Sequence, residues 1–416
     1  MITPAYALTA TERVLPRLAL DFTTASLDSR VTFTRTGNTA TVTNSSGLIA
    51  PINANLPRFD FNSITLACKG LLIEEARTNV CTYSSAIGGG TWLFLPSYAA
   101  QLNNAVSPDG TTNASNIYTV VSGSPRFTFR EFTYTASQVY TLSVFAKSNS
   151  KRWLCIYNPS GAGPGAAWFD LVDGVVGSVA AGFTSTITAF GNGYYRCTVT
   201  YTAPALGSQY FAMSDVNANL SLTTTANGTS GILVYGAQVE LGAFATSYIP
   251  TVATTVTRNA DVATMTGTNF SSWYNASQGS FAMVADLFSP TSNNSLLEVN
   301  GAGGADRLGI LTGFPLATNI SVFNIQGGVS IASQTAPAAN VQFNVCGAFA
   351  ANSTNISLNA AVTTSNNATA APMPSVDRLA IGRNGISNSA YMSGHVAKIL
   401  YWPQKLTSAE TRAFSK

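Results

Sequence analysis

Charged side chains are scarce in this sequence. Asp, Glu, Lys and Arg make up 9% of its 416 residues, against about 25% in an average soluble domain. The 21 basic and 18 acidic residues give a formal net charge of +3, too little for phosphate neutralisation to drive nucleic-acid binding. Hydrophobic residues account for 46%, enough to form sizeable cores. We therefore predict a folded protein that binds neither nucleic acid nor an anionic membrane through charge.

Long apolar runs are also missing. The first twenty residues, MITPAYALTATERVLPRLAL, contain no basic start followed by an apolar run of signal-peptide length. No later stretch reaches the roughly 18 uninterrupted apolar residues that a membrane-spanning helix needs. We expect neither membrane insertion nor a secretion signal.

The residues that catalysis and metal binding most often use are few. His395 is the only histidine, so a Ser-His-Asp or Cys-His mechanism would have to use it. It lies between Gly394 and Val396 at the start of a predicted strand, and we interpret it as structural or exposed. No Cys-x-x-Cys or His-x-x-x-His spacing predicts a zinc site, and no glycine pattern predicts a nucleotide site. Five cysteines, an odd number, favour free buried thiols over a complete disulfide framework: Cys68, Cys81, Cys155, Cys197 and Cys346.

Alternation with period two dominates the pattern. In Tyr140 to Lys147 one parity is apolar and the other mostly polar, which indicates a half-buried strand. Similar runs occur at 194–201, 232–239, 281–288 and 396–402, with Gly, Asn, Pro and Ser clusters between them. Many short strands with turns between them predict an all-β protein of antiparallel sandwiches. The one helical signal is a capping box at Thr407 to Glu410, which predicts one or two terminal turns.

The distribution of prolines and strand-like runs divides the sequence into three parts. Residues 1–75 are irregular and interrupted by prolines, so we predict an extended N-terminal segment that lies along other surfaces. Residues 76–253 form one strand-rich region, and a Thr-rich joint at 252–258 leads into a second, 254–416. The sequence thus predicts two β-sandwiches behind an N-terminal segment.

An ordered series of motifs resembles a module common in tailed-bacteriophage virion proteins, especially tail fibres and related appendages. The series covers almost the whole chain: LALDF (18–22), VTFTR (31–35), LPRFD (56–60), GLLIEEARTN (70–79), SPDGT (107–111), GNGYYR (191–196), YGAQVE (235–240), SYIPT (247–251), GHVAKI (394–399) and LTSAE (406–410).

This resemblance implies a fold and a location. Residues 76–253 look like a carbohydrate-binding-module jelly roll, and 254–416 are similar to concanavalin A-like or laminin-G-like sandwiches. The family implies a non-enzymatic structural or adhesive protein of the virion, assembled in the host cytoplasm, as a tail fibre, head fibre or decoration appendage. It also implies a homotrimer and contacts with other virion proteins through residues 1–75.

Binding of a host surface glycan would need aromatic faces for stacking on sugar C–H groups and planar polar partners for hydroxyls. The candidates in the middle region are Trp92, Trp153, Trp168, Tyr194 and Tyr195. Packing in a core is the competing explanation for each of them, as it is for Trp273 and Tyr274 in the second region.

Two alternatives stay open beside the adhesive role: a polysaccharide-cleaving tailspike, and a cement protein without a ligand. Hydrolysis needs two carboxylates about 5–10 Å apart. Glu74 and Glu75 are adjacent and would point to opposite faces of a strand, and no alternating acid pair occurs among Asp170, Asp173, Glu240, Asp261, Asp286, Glu298 and Asp306. A parallel β-helix repeat is not evident either. We predict that the protein is not an enzyme.

Calcium is the cofactor to weigh, since sandwiches of these kinds bind it through Asp and carbonyl oxygens. Asp306 and Asp377 are each followed by an arginine, Arg307 and Arg378. This spacing favours salt bridges, and we predict no cofactor and no metal.

Overall fold

A computed structural model describes residues 15–95, 97–124, 126–158, 165–205, 208–229, 231–290, 293–301, 306–325, 329–367, 373–385 and 389–416. Its regular structure is almost entirely antiparallel β. The N-terminal strands are β1 (Leu18–Asp21), β2 (Thr32–Thr34), β3 (Ala40–Thr43), β4 (Ile49–Ile52), β5 (Phe59–Phe61), β6 (Cys68–Ile73) and β7 (Arg77–Asn79).

The first sandwich consists of two six-stranded sheets, with the orders β16-β17-β12-β19-β10-β9 and β15-β14-β13-β18-β11-β8. Its strands are β8 (Leu93–Phe94), β9 (Tyr98–Ala105), β10 (Ala114–Thr119), β11 (Thr128–Phe132), β12 (Val139–Asn149), β13 (Trp153–Asn158), β14 (Gly165–Asp170), β15 (Val175–Val179), β16 (Phe183–Phe190), β17 (Tyr194–Thr202), β18 (Gln209–Val216) and β19 (Gly231–Leu241). Apolar side chains from both sheets, such as Leu142 on β12 and Leu154 on β13, meet in one core.

The second sandwich packs a sheet of order β29-β28-β27-β22-β31-β6-β5 against one of order β2-β21-β30-β23-β24-β25-β26. Its elements are β20 (Val256–Arg258), β21 (Val262–Thr266), α1 (Thr268–Ser271), β22 (Gln278–Leu287), β23 (Asn294–Asn300), β24 (Arg307–Thr312), β25 (Asn319–Ile325), β26 (Val329–Thr335), β27 (Phe343–Ala350), β28 (Ser353–Leu358), β29 (Thr364–Asn367), β30 (Arg378–Ile381), β31 (Gly394–Trp402) and α2 (Ser408–Ala413). Of these, β20 pairs with β7.

The predicted all-β class and the five predicted strand runs are confirmed. Each run lies within or overlaps a strand, for instance 140–147 in β12 and 396–402 in β31. The capping box is present as well: the Thr407 hydroxyl accepts from the Glu410 amide, and the Glu410 side chain accepts from the Thr407 amide. No described helix is long and apolar enough to span a membrane.

The described part of the N-terminal segment includes short strands that pair with strands of the second sandwich. Within the described part of residues 1–75, β1 and β6 both pair with β31, β5 pairs with β6, and β2 pairs with β21. The reason is that the apolar parity of these short strands, including Leu18, Leu20 and Ile73, enters the core of the second sandwich. The described part of this segment thus lies along the second sandwich and joins its sheets. Residues 1–14 lie outside the described part.

The hairpin β3–β4 contacts the other sandwich. Ile49 packs with Phe145 and Tyr248 on the outer face of the first sandwich, and the Thr41 hydroxyl donates to the Tyr248 carbonyl at 2.5 Å. The N-terminal segment thus bridges the two sandwiches.

A buried ionic network lies where the N-terminal segment, the end of the first sandwich and the start of the second meet. The Arg58 guanidinium contacts Glu74 Oε2 at 2.6 Å and both carboxylate oxygens of Asp261. These three side chains are fully buried. The Asp261 carboxylate also accepts a hydrogen bond from the Glu74 backbone amide at 2.9 Å. Arg58 therefore holds together two acids that are 187 residues apart in the chain.

Two further arginines and a serine complete the network. Arg35 Nη1 lies 3.1 Å from Asp261 Oδ1, and Arg258 Nη1 lies 3.4 Å from Glu74 Oε2. The amide and hydroxyl of Ser247 each donate to Glu74 at 2.7 Å. Burial alone would raise the pKa of Glu74, but the arginines and Ser247 lower it to about 2. The carboxylate is consequently ionised in the folded protein.

Replacing Arg58 by Met should destabilise the protein by about 3–5 kcal/mol, because it leaves two carboxylates buried without their main cation. The matched control is Arg30→Gln, which breaks the partly exposed Arg30–Asp28 pair and should cost at most about 1 kcal/mol. Chemical denaturation of both variants measures the two costs. Equal costs would mean that the network contributes little.

Candidate functional site

An open cleft of about 780 Å³ lies between the two sandwiches, with the N-terminal segment contributing to its walls. The first sandwich contributes the outer face of β16 and β17. The second contributes Asp60 on β5, Asp286 near the end of β22 and His395 near the start of β31. Its lining includes charged, hydroxyl-bearing and aromatic side chains: Asp60, Lys69, Thr184, Thr186, Thr188, Arg196, Thr198, Thr200, Phe244, Asp286, Phe288 and His395.

A row of threonines forms the wall on the first sandwich. In β16 and β17 one parity faces the core through residues such as Cys197 and Val199, so the other parity faces the cleft. Thr186 and Thr198 are directly paired between the strands, and their hydroxyl oxygens lie 2.6 Å apart. This wall therefore presents hydroxyl groups held in register by the sheet.

The opposite wall carries two carboxylates on either side of His395. Nδ1 of His395 lies 2.8 Å from Asp286 Oδ1, and Nε2 lies 3.0 Å from Asp60 Oδ2. Lys69 Nζ lies 2.6 Å from the same Asp60 oxygen, and the Thr43 amide donates to Asp60 Oδ1 at 2.7 Å. The imidazole is almost completely buried. Its two nitrogens thus link β5 and β22 through β31.

Strand pairing explains why these groups meet. Asp286 is the register partner of His395, and Asp60 is the register partner of Gly70. Gly70 has φ +113°, and a Cβ there would lie 2.2 Å from the Val396 carbonyl oxygen. Only glycine lets β6 approach β31 this closely, and the approach brings Asp60 over the imidazole.

Charge in this cluster favours the ionised forms of His395, Asp60 and Asp286. Burial and Lys69 lower the pKa of His395, but Asp286 and Asp60 raise it above its ordinary 6.5 overall. Burial would raise the pKa of both carboxyls, whereas contacts with His395 and the charge of Lys69 hold both below the ordinary 3.8. We therefore describe the cluster as an imidazolium that donates one N–H to each of two carboxylates.

Aromatic side chains complete the cleft. The rings of Phe244 and Phe288 have centroids 6.0 Å apart, and Phe288 meets the His395 ring edge-on at 5.5 Å. Both phenylalanines are half-buried. The Arg77 guanidinium lies 4.9 Å from the Phe244 centroid. Partly exposed rings therefore stand next to fixed polar groups.

Three of the five predicted glycan-binding aromatics are core residues, which corrects the prediction. Trp92, Trp168 and Tyr194 are at most 7% exposed. Their polar atoms donate to backbone carbonyls: Trp92 Nε1 to Tyr83 at 3.1 Å, Trp168 Nε1 to Ser221 at 2.8 Å and Tyr194 OH to Val106 at 3.0 Å. A ring enclosed on both faces offers no surface for a sugar.

The other two candidates are half-buried and lie outside the cleft lining. Trp153 packs beside Trp168 on the outer face of the other sheet of the first sandwich. Tyr195 packs against the first core. Trp273 lies in the core of the second sandwich with Tyr274 half-buried beside it, as core packing predicted. The prediction thus placed no aromatic in the cleft.

The cleft residues were missed because no local pattern connects them. Asp60, Asp286 and His395 come from three strands and lie up to 335 residues apart, and Asp286 appeared in the sequence only as one acid among several. The signal that was available is the single histidine in a strand-opening motif. It becomes informative only when its partners are known.

The arginines after Asp306 and Asp377 form salt bridges. Arg378 Nε donates to Asp377 Oδ1 at 2.7 Å, which confirms that pair. Arg307 instead lies 3.7 Å from Glu298. Among the described residues no group of three or more His, Cys, Asp or Glu is arranged to hold a metal ion.

All five cysteines lie in the described part and are free thiols.

The fold and the cleft define an all-β protein of two antiparallel sandwiches with a polar cleft between them. A scan against protein-family models finds no match. A search of curated proteins finds no match either.

Several solved structures are similar in part. The CBM40 of Ruminococcus gnavus IT-sialidase bound to α2,3-sialyllactose has a TM-score of 0.30 and 12% identity, over 34% of this chain and 84% of that one. The SAP-like pentraxin of Limulus polyphemus has a TM-score of 0.26 and 11% identity, over 34% and 70%. Domains LG4-5 of mouse laminin α1 have a TM-score of 0.23 and 7% identity, over 75% and 90%. At these scores the likenesses support no conclusion about what this chain binds.

The His395 cluster predicts a pH window of stability. Because the folded-state pKa of His395 is raised, its contribution is fully present below pH 6.5 and is lost as the pH rises through that folded-state pKa. Because the pKa values of Asp60 and Asp286 are lowered, their contribution is present above 3.8 and is lost as the pH falls. The stability advantage over His395→Gln, measured by denaturation from pH 3 to pH 9, should be greatest between these limits. An advantage that grows above pH 7 would contradict the imidazolium assignment.

Proposed function

We propose that this chain is a non-enzymatic bacteriophage virion protein that binds a glycan of the host surface in the cleft between its sandwiches. The binding proposal rests on three kinds of side chain that occur together in this cleft. Fixed charged groups, a row of threonine hydroxyls and half-buried phenylalanine rings all face one volume of about 780 Å³.

Sugar chemistry matches this combination. A pyranose presents hydroxyls, which need donors and acceptors, and C–H faces, which pack on aromatic rings. Asp286 and the threonines supply the polar groups, and Phe244 and Phe288 supply the rings. A volume of this size is within the range of small-ligand clefts and accommodates a few sugar units.

A polysaccharide hydrolase is the second candidate, because Asp60 and Asp286 lie in the same open cleft. Glycosidases use two carboxyl groups of which one is protonated at the working pH. The pKa values of both carboxyls are lowered here, and both are engaged by His395. Neither is suited to donate a proton near neutral pH, which supports binding over cleavage.

The virion role rests on the motif series described above, and with it the tail-fibre, head-fibre or decoration location, the homotrimer and the attachment through residues 1–75. Exposed apolar side chains outside the cleft lining support a contact surface in that part: Leu56 and Leu66 are 50% and 47% exposed. Apolar groups left in water favour burial against a partner. A purely structural cement role would use this surface and leave the cleft empty.

Removing the aromatic wall should weaken glycan binding. In the double variant Phe244→Ala, Phe288→Ala we expect at least about tenfold weaker binding to the best ligand on an array of bacterial surface glycans, since each ring contact contributes about 0.5–1.5 kcal/mol. Phe129→Ala, a half-buried ring on the other sheet of the first sandwich, is the matched control and should bind normally. Unchanged binding by the double variant would exclude this cleft, and no binding by the wild type would favour the cement role.

Incubation with capsule or lipopolysaccharide from the bacterium whose glycan binds best should release no reducing ends. Release that is abolished in both Asp60→Asn and Asp286→Asn would establish hydrolysis in place of simple binding.

Locating the chain in a map of the intact particle tests the virion role and the trimer. A chain that is absent from the particle would contradict both.

A further inference from the structure

Arg196 lines the cleft between the two sandwiches. We propose that the glycan bound there is acidic, and that Arg196 binds its carboxylate, sulfate or phosphate group. This inference rests on the proposed function, because it specifies the ligand of the same cleft.

Arg196 is held in place by the first sandwich. It lies on β17 directly across from Phe145 on β12, and its guanidinium carbon is 5.4 Å from the centre of that ring. Its Nη2 donates to the Ser143 hydroxyl at 3.1 Å. Ring and hydroxyl fix the orientation of the guanidinium, so little conformational freedom remains to be lost when a ligand binds.

The hydrogen-bonding capacity of Arg196 is largely unused. A guanidinium has five N–H donors, and within the described chain Nε is buried without an acceptor. Among the described residues, the side chain donates a hydrogen bond to Ser143 alone. Lys69 and His395, the other cationic groups of the lining, both contact Asp60. Arg196 forms no ion pair with any described residue.

The neighbouring carboxylates already have other partners. Asp60 is engaged by His395 and Lys69, and Glu74 by Arg58 and Arg258.

Glu240, the remaining acid near Arg196, accepts hydrogen bonds from the amide and the hydroxyl of Thr246. Burial lowers the pKa of Arg196, although Glu240, Glu74 and Asp60 act in the opposite direction. A guanidinium stays charged in proteins, so an anion that enters the cleft would replace the hydration this cation has lost.

The surroundings of Arg196 fit an oxyanion on a sugar. Thr198 lies two positions further along β17 on the same face, so its hydroxyl is presented beside the guanidinium. Arginine binds carboxylate, sulfate and phosphate through two parallel N–H donors. The threonine wall is then available for sugar hydroxyls.

Matched ligands test the proposal. An array of acidic bacterial saccharides carrying uronic acid, sulfate or phosphate is probed together with the carboxyl-reduced, desulfated or dephosphorylated form of each one. The wild type should bind at least one acidic member about tenfold or more tightly than its neutral form, as expected for one charge-assisted bidentate contact. Binding should weaken as the salt concentration rises. The three arms identify the anionic group.

Variants test whether the preference for the acidic form depends on Arg196. Arg196→Gln should remove the preference for the acidic form while binding to the neutral form stays within about twofold. Arg196→Lys keeps the charge but loses the planar fork, so it should retain part of the preference. Arg30→Gln, on a surface pair outside the cleft, should match the wild type. Melting temperatures of all variants control for folding.

The outcomes separate this proposal from the one before it. Equal binding of acidic and neutral forms by the wild type, lost in the phenylalanine double variant, would keep the glycan cleft and overturn the acidic ligand. A preference that persists in folded Arg196→Gln would also overturn it. If no saccharide in either form binds the wild type, glycan binding itself fails.

Discussion

The contact of Arg58 with Glu74 and Asp261 is the interaction on which the rest of the structure depends. It lies at the point where the N-terminal segment, the closing turn of the first sandwich and the first strand of the second converge. Buried ions lose their hydration and are tolerated only with well-formed partners. Any displacement of one segment would leave a charge without its partner in a medium of low dielectric constant. The network therefore favours one arrangement of the three segments.

The cleft follows from that arrangement. Its threonine wall belongs to the first sandwich and its histidine cluster to the second, so the volume between them depends on how the two are joined. The hairpin β3–β4 adds an apolar contact with the first sandwich, and β1, β5 and β6 extend the second. A ligand that binds between the sandwiches meets a site that is already formed. The affinity then does not have to offset the ordering of two mobile bodies.

Because few residues of the chain are charged, the position of each charged side chain is informative. Most charged side chains at the junction are buried and paired with one another, and they leave the outer faces to Ser, Thr, Asn and apolar groups. Against this background the Arg196 guanidinium stands out, because it lies in a cleft and forms no ion pair with a described residue, whereas most buried charged side chains of the described part do form one.

Local patterns predicted much of the fold but little of the site. Alternation identified β12, β17, β19, β22 and β31, and a capping box identified α2, because these signals arise from neighbours in the chain. The N-terminal segment was harder: strands of three to six residues carry too few alternations to show which sheet they join. The aromatic candidates failed for a related reason. Alternation indicates that one parity is buried, but not whether a second layer covers the other face, and Trp168 and Tyr194 are covered.

The sequence alone determined the all-β class, five of the strands and the capping box of the C-terminal helix. All of these depend on composition or on residues close together along the chain. Only the tertiary structure decided that His395 lies between Asp60 and Asp286 and that Arg58 binds two distant acids. It also decided that Arg196 faces the cleft and forms no ion pair with a described residue. These facts are set by strand register and by the packing of one sandwich beside the other, and contacts between residues hundreds of positions apart leave no local trace in a single sequence.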